Sequence, residues 1–261
     1  MLKDFKRFLS KLGKIHGLQG WWPRLIRHEV RSTRHAARSS VLHHPGPKSR
    51  WLSKVPADQA FEIAIGAILT QNTSWTNVEK ALICLAEKGM VTSKSLARAQ
   101  SSSIESCVRS SGYYRQKAKK LKLFAKFVQD ELGGDLWKII NRRPERSAAK
   151  SKDLFWSASI QDDGIGQARE LLLSLWGIGP ETADTILLYG LNRPIFVVDA
   201  YTRRLLVHLS GDTAWLKRPY DEVRQFCESA LVSQSRKVQK FQESHALIVR
   251  WGKDNSRLRI S

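Results

Sequence analysis

A single acidic residue in an apolar setting is the feature of this sequence best suited to chemistry. Asp199 follows the hydrophobic step IFVV (195–198) and precedes the helical stretch AYTRRLL (200–206). This position predicts a helix N-cap, and a helix N-terminus keeps a carboxylate ionised. A buried anion aimed at a sugar would stabilise an oxocarbenium-like transition state or orient a water. Asp199 is therefore the candidate catalytic residue for cleavage of an N-glycosidic bond.

A turn with two glycines lies upstream of Asp199. The stretch LWGIGPETA (175–183) ends one amphipathic helix and begins another. Gly177 and Gly179 carry no Cβ, so the backbone could approach a phosphate, and Pro180 suits the first turn of a helix. Free N–H groups at such a helix start bind an anion. The same pattern is also that of an ordinary turn between helices.

The composition points to a polyanionic partner. Lys and Arg number 44 against 24 Asp and Glu, which gives a formal net charge of +20. An excess of this size favours nucleic acid over a membrane surface. No apolar run approaches the ~20 residues needed to span a bilayer, so we expect no membrane association. Cys84, Cys107 and Cys227 show neither close pairing nor metal-ligand spacing, and we expect reduced core cysteines in a cytoplasmic protein.

Helical periodicity dominates the chain, which predicts an all-α fold, and its length allows two small lobes. Residues 1–23 would form a helix and a Trp-Trp-Pro turn, and residues 24–60 a basic insertion or arm. Residues 61–190 would form a central lobe that ends in the two-glycine hairpin. Residues 191–261 would carry Asp199 and C-terminal helices that pack with the N-terminal helix. We expect no strands, and the arm is either a solvated insertion or an electrostatic clamp on phosphates.

The hairpin, with Asp199 twenty residues after Gly179, resembles the helix–hairpin–helix DNA glycosylases of the endonuclease III type. The stretches GAILTQNTSW (66–75) and SGYYRQKAKKL (111–121) are also typical of these enzymes, and the resemblance runs from about Leu2 to Trp251. Bacterial endonuclease III-related proteins and 3-methyladenine glycosylases share the WWP, LTQNT and hairpin patterns. The resemblance implies a monomer that binds double-stranded DNA containing a damaged base, in the cytoplasm at the bacterial nucleoid.

Two departures from the family refine this expectation. Bifunctional members carry a Lys nucleophile two residues after the second hairpin glycine, where this chain has Glu181. A carboxylate cannot form an imine with the opened sugar, so the resemblance implies a monofunctional enzyme in which Asp199 activates water. Iron–sulfur members have four closely spaced cysteines after the last helix, and Ser256 stands about where the first would fall. We therefore expect no cluster and no other cofactor, with the hairpin as a candidate site for a structural monovalent cation.

The resemblance also implies which residues contact an extruded base. Gln71 would fill the gap left in the DNA, and Asn72 would brace its turn. Trp22, Pro23 and Trp75 would line an aromatic pocket that stacks on a base and attracts a cationic alkylated purine. Each tryptophan could instead belong to the core.

Phosphate contacts are expected from the hairpin and from the basic helix that follows the Tyr pair. These residues are Gly177, Gly179 and Thr182 in the hairpin and Lys117, Lys119 and Lys120 on the helix, where the lysines could also face only solvent. Related methyladenine enzymes use a late Lys in a position resembling Leu247. We expect a DNA glycosylase for alkylated purines, most simply 3-methyladenine. The alternatives are a uracil or mismatched-thymine glycosylase and an inactive DNA-binding member of the same fold.

Overall fold

The structure is a computed structural model that describes residues 1–19, 55–141, 164–231 and 236–256, together with the backbone of residues 24–28 and 39–43. The described helices are α1 (Leu2–His16), α2 (Ala57–Leu69), α3 (Trp75–Glu87), α4 (Ser93–Arg98), α5 (Ser101–Val108), α6 (Tyr114–Leu132), α7 (Ile165–Ser174), α8 (Pro180–Thr185), α9 (Ala200–Ser210), α10 (Tyr220–Leu231) and α11 (Lys237–Asp254). A π-helical turn, Ile186–Gly190, extends α8. The predicted all-α class is confirmed. Within the described ranges, no helix is both long enough and apolar enough to cross a membrane.

The arm contains two short strands that the sequence does not predict. Strands β1 (Arg24–His28) and β2 (Ser39–His43) pair antiparallel, with Arg24 opposite His43 and His28 opposite Ser39. Each strand is only five residues long, so neither carries enough alternation to reveal itself in sequence. Residues 29–38 and 44–54 lie outside the described residues, and so do the side chains of the predicted phosphate clamp.

Part of the hydrophobic core is built around α2. Nine of its thirteen residues are buried, which agrees with an apolar pattern on all sides of the helix. Phe61 of α2 stacks on Phe124 of α6, with ring centroids 5.7 Å apart. Gly190 lies against the backbone of α2, where a Cβ would approach the carbonyl oxygen of Ala60 to 3.3 Å. The segment that leads from the hairpin toward Asp199 is therefore held close against the central helix.

The N-terminal helix packs with the C-terminal helices. Phe5 of α1 meets Phe226 of α10 edge-on at 5.9 Å, and Phe8 meets Trp251 of α11 at 6.1 Å. Helix α9, which begins after Asp199, packs against α11. The two ends of the chain thus form one group of helices around the segment that carries the candidate catalytic residue.

A partly buried ionic network ties the hairpin helices to this C-terminal group. Arg169 of α7 lies 2.6 Å from Asp184 of α8 and 2.9 Å from Asp221 of α10. Asp184 is fully buried. Burial raises the pKa of Asp184 to about 6, although the hydrogen bond and the charge of Arg169 act to lower it. Asp184 therefore remains mostly ionised at neutral pH. The network fixes α7 and α8 relative to α10.

The expectation that all three cysteines are reduced is wrong. Cys84 of α3 and Cys107 of α5 form a disulfide with their Cα atoms 5.2 Å apart, while Cys227 is free and buried. The pairing arises because α3 packs along α5, and a separation of 23 residues gives no sign of it. The cysteines therefore no longer support a reducing compartment.

Candidate active site

Asp199 is the N-cap of α9, as its position after the apolar step predicts. Its Oδ1 accepts a hydrogen bond from the backbone N–H of Thr202 at 2.7 Å and another from the Thr202 hydroxyl at 2.9 Å. Both residues are largely shielded from solvent, and Ile195–Val198 before them are buried. The cap fixes one carboxylate oxygen and leaves the other, Oδ2, outside the cap.

A histidine and a tyrosine lie on the Oδ2 side of Asp199. His245 Nε2 is 3.5 Å from Oδ2, which is an ion-pair distance but too long for an ordinary hydrogen bond. The other ring nitrogen, Nδ1, is 2.7 Å from the hydroxyl of Tyr189. Burial alone would raise the pKa of Asp199, but the contact and charge of His245 and the hydrogen bonds from Thr202 lower it overall. The candidate catalytic carboxylate is therefore anionic at neutral pH.

Glu181 is the second carboxyl group of this region, in the first turn of α8. Its side chain reaches solvent, yet the surrounding protein removes enough water to raise its pKa to about 7, and the negative charge of Asp199 adds to the rise. His245 acts in the opposite direction. Asp199 and Glu181 therefore act on each other electrostatically but differ in ionisation. At neutral pH Asp199 is anionic, whereas Glu181 is close to half-protonated.

The two hairpin glycines differ in whether the protein itself requires glycine at that position. Gly177 has a φ of 85°, and a Cβ there would lie 2.5 Å from Cε of Lys120. That position requires glycine for its conformation and its packing. Gly179 has a φ of −95° and precedes α8, and a Cβ there would meet no atom of the described protein within 4 Å. The protein itself does not require glycine at 179, which suits the predicted approach of a phosphate to this backbone.

Gln71 braces the hairpin from the end of α2. Its amide Nε2 donates to the carbonyl oxygen of Gly177 and lies 3.0 Å from the hydroxyl oxygen of Thr182, while its Oε1 accepts from Lys120 Nζ at 2.5 Å. Removal from water lowers the pKa of Lys120. The Thr182 side chain therefore faces Gln71 in this structure. Filling a gap in DNA and binding a phosphate stay predictions for these two residues.

The three predicted lysine contacts differ in environment. Lys117 is buried, and its ammonium donates to the carbonyl oxygens of Leu69 at 2.9 Å and Ser111 at 2.5 Å. Lys117 is thus not available to a phosphate in this structure, which corrects that prediction, because the helix turns it inward. Burial, followed by the charge of Lys120, lowers the pKa of Lys117 to about 8. Lys119 is exposed and lies 4.7 Å from the ring centroid of Trp176, an exposed hairpin residue.

The predicted pocket is described only in part. Trp75 begins α3 and is half-buried against the core, and Asn72 is exposed with a φ of 53°. Trp22 and Pro23 lie outside the described residues. Leu247 is buried on α11. The contact of any of these residues with a base stays a prediction.

The donor set does not fit an iron–sulfur cluster. The sequence has three cysteines, and two of them form the Cys84–Cys107 disulfide. A cluster held by four thiolates cannot be built from this chain, because it has too few thiols. The predicted monovalent cation at the hairpin stays a prediction.

Sequence reasoning missed His245 and Tyr189. His245 stands in the helical stretch SHALIVRWG (244–252), where a lone histidine is more often a core residue than a site residue. Tyr189 ends the apolar stretch TILLY and carries no motif of its own. Only the packing of α9 on α11 brings Asp199 and His245 together.

The chain is similar to a known protein family and to several known proteins. Residues 65–231 match the family described as HhH-GPD superfamily base excision DNA repair protein. A protein of Methanocaldococcus jannaschii named "Putative DNA repair glycosylase MJ1434" is 35% identical over 209 residues, covering 80% of this chain and 82% of the relative. Endonuclease III of Thermotoga maritima is 27% identical over 157 residues, covering 60% of this chain and 58% of that protein.

Two solved structures share the fold. The H. pylori 3-methyladenine DNA glycosylase MagIII bound to 1,N6-ethenoadenine superposes with a TM-score of 0.58 at 26% identity, covering 78% of this chain and 91% of that one. A trapped endonuclease III–DNA covalent intermediate gives a TM-score of 0.62 at 16% identity, covering 98% and 88% of the two chains. The latter likeness concerns the fold alone.

The fold and the site define a helix–hairpin–helix base excision repair protein. The chain belongs to the HhH-GPD superfamily. Within that superfamily it is a DNA glycosylase.

Proposed function

We propose that this protein is a monofunctional DNA glycosylase that removes an alkylated purine, of the 3-methyladenine class, from double-stranded DNA. One observation carries the proposal. The site contains a shielded, anionic Asp199, and Glu181 stands at the position where bifunctional relatives carry a lysine nucleophile. The enzyme would act as a monomer without an iron–sulfur cluster or other cofactor. A cytoplasmic location at the nucleoid completes the proposal.

The chemistry follows from the charge of Asp199. As the bond between C1′ and the base nitrogen breaks, its electron pair leaves with the base and positive charge develops on the sugar. A shielded carboxylate held at a fixed position stabilises that charge. A water molecule then attacks C1′ and gives its proton to the carboxylate. A cationic alkylated purine leaves as a neutral base, so its departure requires no proton from an acid.

The substrate class has support from one comparison and from the net charge. The likeness to a 3-methyladenine DNA glycosylase bound to 1,N6-ethenoadenine reaches 26% identity, and a chain with a formal charge of +20 suits a polyanion. Trp75 is half-buried and follows Gln71 and Asn72 closely in sequence, and it is a candidate stacking surface. Stacking on indole favours an electron-poor, methylated purine over a base that must be read by hydrogen bonds.

A panel of duplexes tests the proposal. Each would contain 3-methyladenine, 1,N6-ethenoadenine, uracil or a mismatched thymine, with the protein in excess, and free base and strand breaks would be measured separately. We expect release of an alkylated purine with the strand left intact. Sodium borohydride should trap no covalent adduct, because no amine stands at position 181. Release of uracil or thymine alone would contradict the substrate class, and a trapped adduct that maps to a lysine would contradict the monofunctional mechanism.

A further inference from the structure

The two oxygens of Asp199 have different environments. Oδ1 takes both hydrogen bonds from Thr202, at 2.7 and 2.9 Å, and these bonds satisfy the start of α9. Oδ2 makes no bond in the cap and faces His245 Nε2 at 3.5 Å. A helix cap therefore does not explain why a buried imidazole lies against the second oxygen.

Tyr189 orients the imidazole of His245. Its hydroxyl lies 2.7 Å from Nδ1 and 3.3 Å from the carbonyl oxygen of Gln242. Burial and the negative charges of Asp199 and Glu243 raise the pKa of Tyr189 well above its usual range, so the phenol keeps its proton. If the phenol donates to Nδ1, the neutral ring carries its proton on Nε2, toward Asp199. If the phenol donates to the carbonyl, Nδ1 is protonated, and an Nε2 proton then makes the ring an imidazolium.

His245 Nε2 is buried and, among the described residues, has no hydrogen-bond partner at normal geometry. Leaving a buried polar atom in that condition is unfavourable. Asp199 Oδ2 lies 3.5 Å from this nitrogen. A contraction of about half an ångström would form a charge-assisted hydrogen bond, and such contacts are often long in free enzymes and tighten when substrate binds.

We propose that His245 is a positioning residue that acts through Asp199, presenting an Nε2 proton to Oδ2 so that the carboxylate stays anionic and fixed while charge develops on the sugar. This inference rests on the proposed function, because it assigns a helper to the carboxylate of that reaction. Tyr189 holds the imidazole in the required orientation. In this arrangement Oδ1 of Asp199 caps the helix and Oδ2 accepts from the imidazole.

The other titratable groups that act electrostatically with Asp199 come from separate elements. Glu181 of α8 shares the field of Asp199 and of His245. Tyr189 belongs to the π-helical turn, and Cys227 of α10 has its pKa raised chiefly by burial and further by the charges of Glu228 and Asp199. His245 and the hydrogen bonds from Thr202 oppose the cost of burying the anion, and of these His245 is the titratable group.

A titration of Asp199 in the full chain without DNA tests the inference directly. The carboxyl carbon of Asp199 would be followed by NMR against pH in the wild type, in His245→Leu and in His245→Gln. His208→Gln serves as the matched control, because His208 is an exposed imidazole on α9 whose ring contacts Trp251 at 5.4 Å and not Asp199. Thermal unfolding followed by circular dichroism would establish that each variant is folded.

We expect the pKa of Asp199 to rise in His245→Leu, to rise less in His245→Gln, whose amide can still donate, and to stay unchanged in His208→Gln. Base release under single-turnover conditions should fall roughly 10- to 100-fold in His245→Leu, the loss expected for one hydrogen bond to a charged group. The acidic limb of its pH profile should move to higher pH, with affinity for undamaged DNA unchanged.

The two levels of the hypothesis fail in different ways. If the wild type releases no base from any duplex, the proposed function fails, while the NMR titration still decides the role of His245. If folded His245→Leu leaves the Asp199 titration where it is in the wild type, His245 does not act on Asp199 and the inference is overturned. If His245→Leu proves unfolded, the Asp199 titration in His245→Gln is compared with that in the wild type instead. An unchanged Asp199 titration in that folded variant, with an unchanged pH profile of base release, would also overturn the inference.

Discussion

Replacing Gln71 by alanine should loosen the hairpin and lower the stability of the protein. Gln71 makes three hydrogen bonds, to Gly177 O, to the Thr182 hydroxyl and from the Lys120 ammonium. A net hydrogen bond contributes about 1 kcal/mol and one to a charged group about 1.5–3 kcal/mol. Because Gln71 and Lys120 are only partly buried, we expect a total loss of about 2–3 kcal/mol, or roughly 4–12 °C in melting temperature for a chain of this size.

The assay is urea denaturation followed by tryptophan fluorescence, arranged as a double-mutant cycle with Thr182→Val. Thr182→Val removes one partner of Gln71 while keeping the side-chain shape, and it should cost about 1 kcal/mol by itself. The double variant should be more stable than the sum of the two single changes predicts, by about 0.5–1.5 kcal/mol, because the shared hydrogen bond is removed only once. Additive effects, or a Gln71→Ala protein as stable as the wild type, would refute the reasoning that Gln71 braces the hairpin.

Three further predictions follow from the charges and the aromatic surface. Deleting residues 24–54 should weaken binding to damaged and undamaged duplexes alike and reduce the log–log salt slope by about 0.9 for each phosphate that the arm neutralises; an unchanged slope would show that the arm binds no phosphate. Trp75→Ala should leave the affinity for undamaged DNA and its salt slope nearly unchanged but slow release of a methylated purine by about 10- to 100-fold, the size of one base stack; an unfolded variant would identify Trp75 as a core residue. Glu181 has a pKa of about 7, raised from 4.5 by burial and then by the charge of Asp199, so the folded state holds this proton more tightly than the unfolded chain. The wild type should therefore lose stability relative to Glu181→Gln as the pH rises from about 4.5 to 7, and parallel melting temperatures across that range would contradict the raised pKa.

The features that sequence predicts well are those whose physical cause is local. Asp199 is recognisable because a carboxylate between an apolar step and a helix start is an N-cap, and the structure places it there with Thr202 as its donor. The turn at Gly177 is recognisable because it separates two amphipathic helices, and the structure has a turn there in which Gly177 has a φ of 85°. Both features depend on residues within one or two turns of the position itself.

The features that sequence misses depend on packing between distant segments. His245 meets Asp199 only because α11 packs on α9, and no spacing within either helix indicates that contact. Lys117 belongs to a basic stretch, yet its place on the helix turns it toward the backbone carbonyls of Leu69 and Ser111. The Cys84–Cys107 disulfide likewise follows from the packing of α3 on α5. Such contacts are properties of the tertiary structure and leave little trace in composition or periodicity.

Single-turnover base release by Asp199→Asn tests the central claim most directly. Asparagine retains the Oδ1 acceptor for Thr202 and is as good an N-cap as aspartate, so the melting temperature should change little. The negative charge is removed, and we expect release of an alkylated purine to be abolished, while the affinity for the same duplex stays within a few fold of the wild type. Near-normal base release by a folded Asp199→Asn protein would contradict the claim that the Asp199 carboxylate performs the reaction.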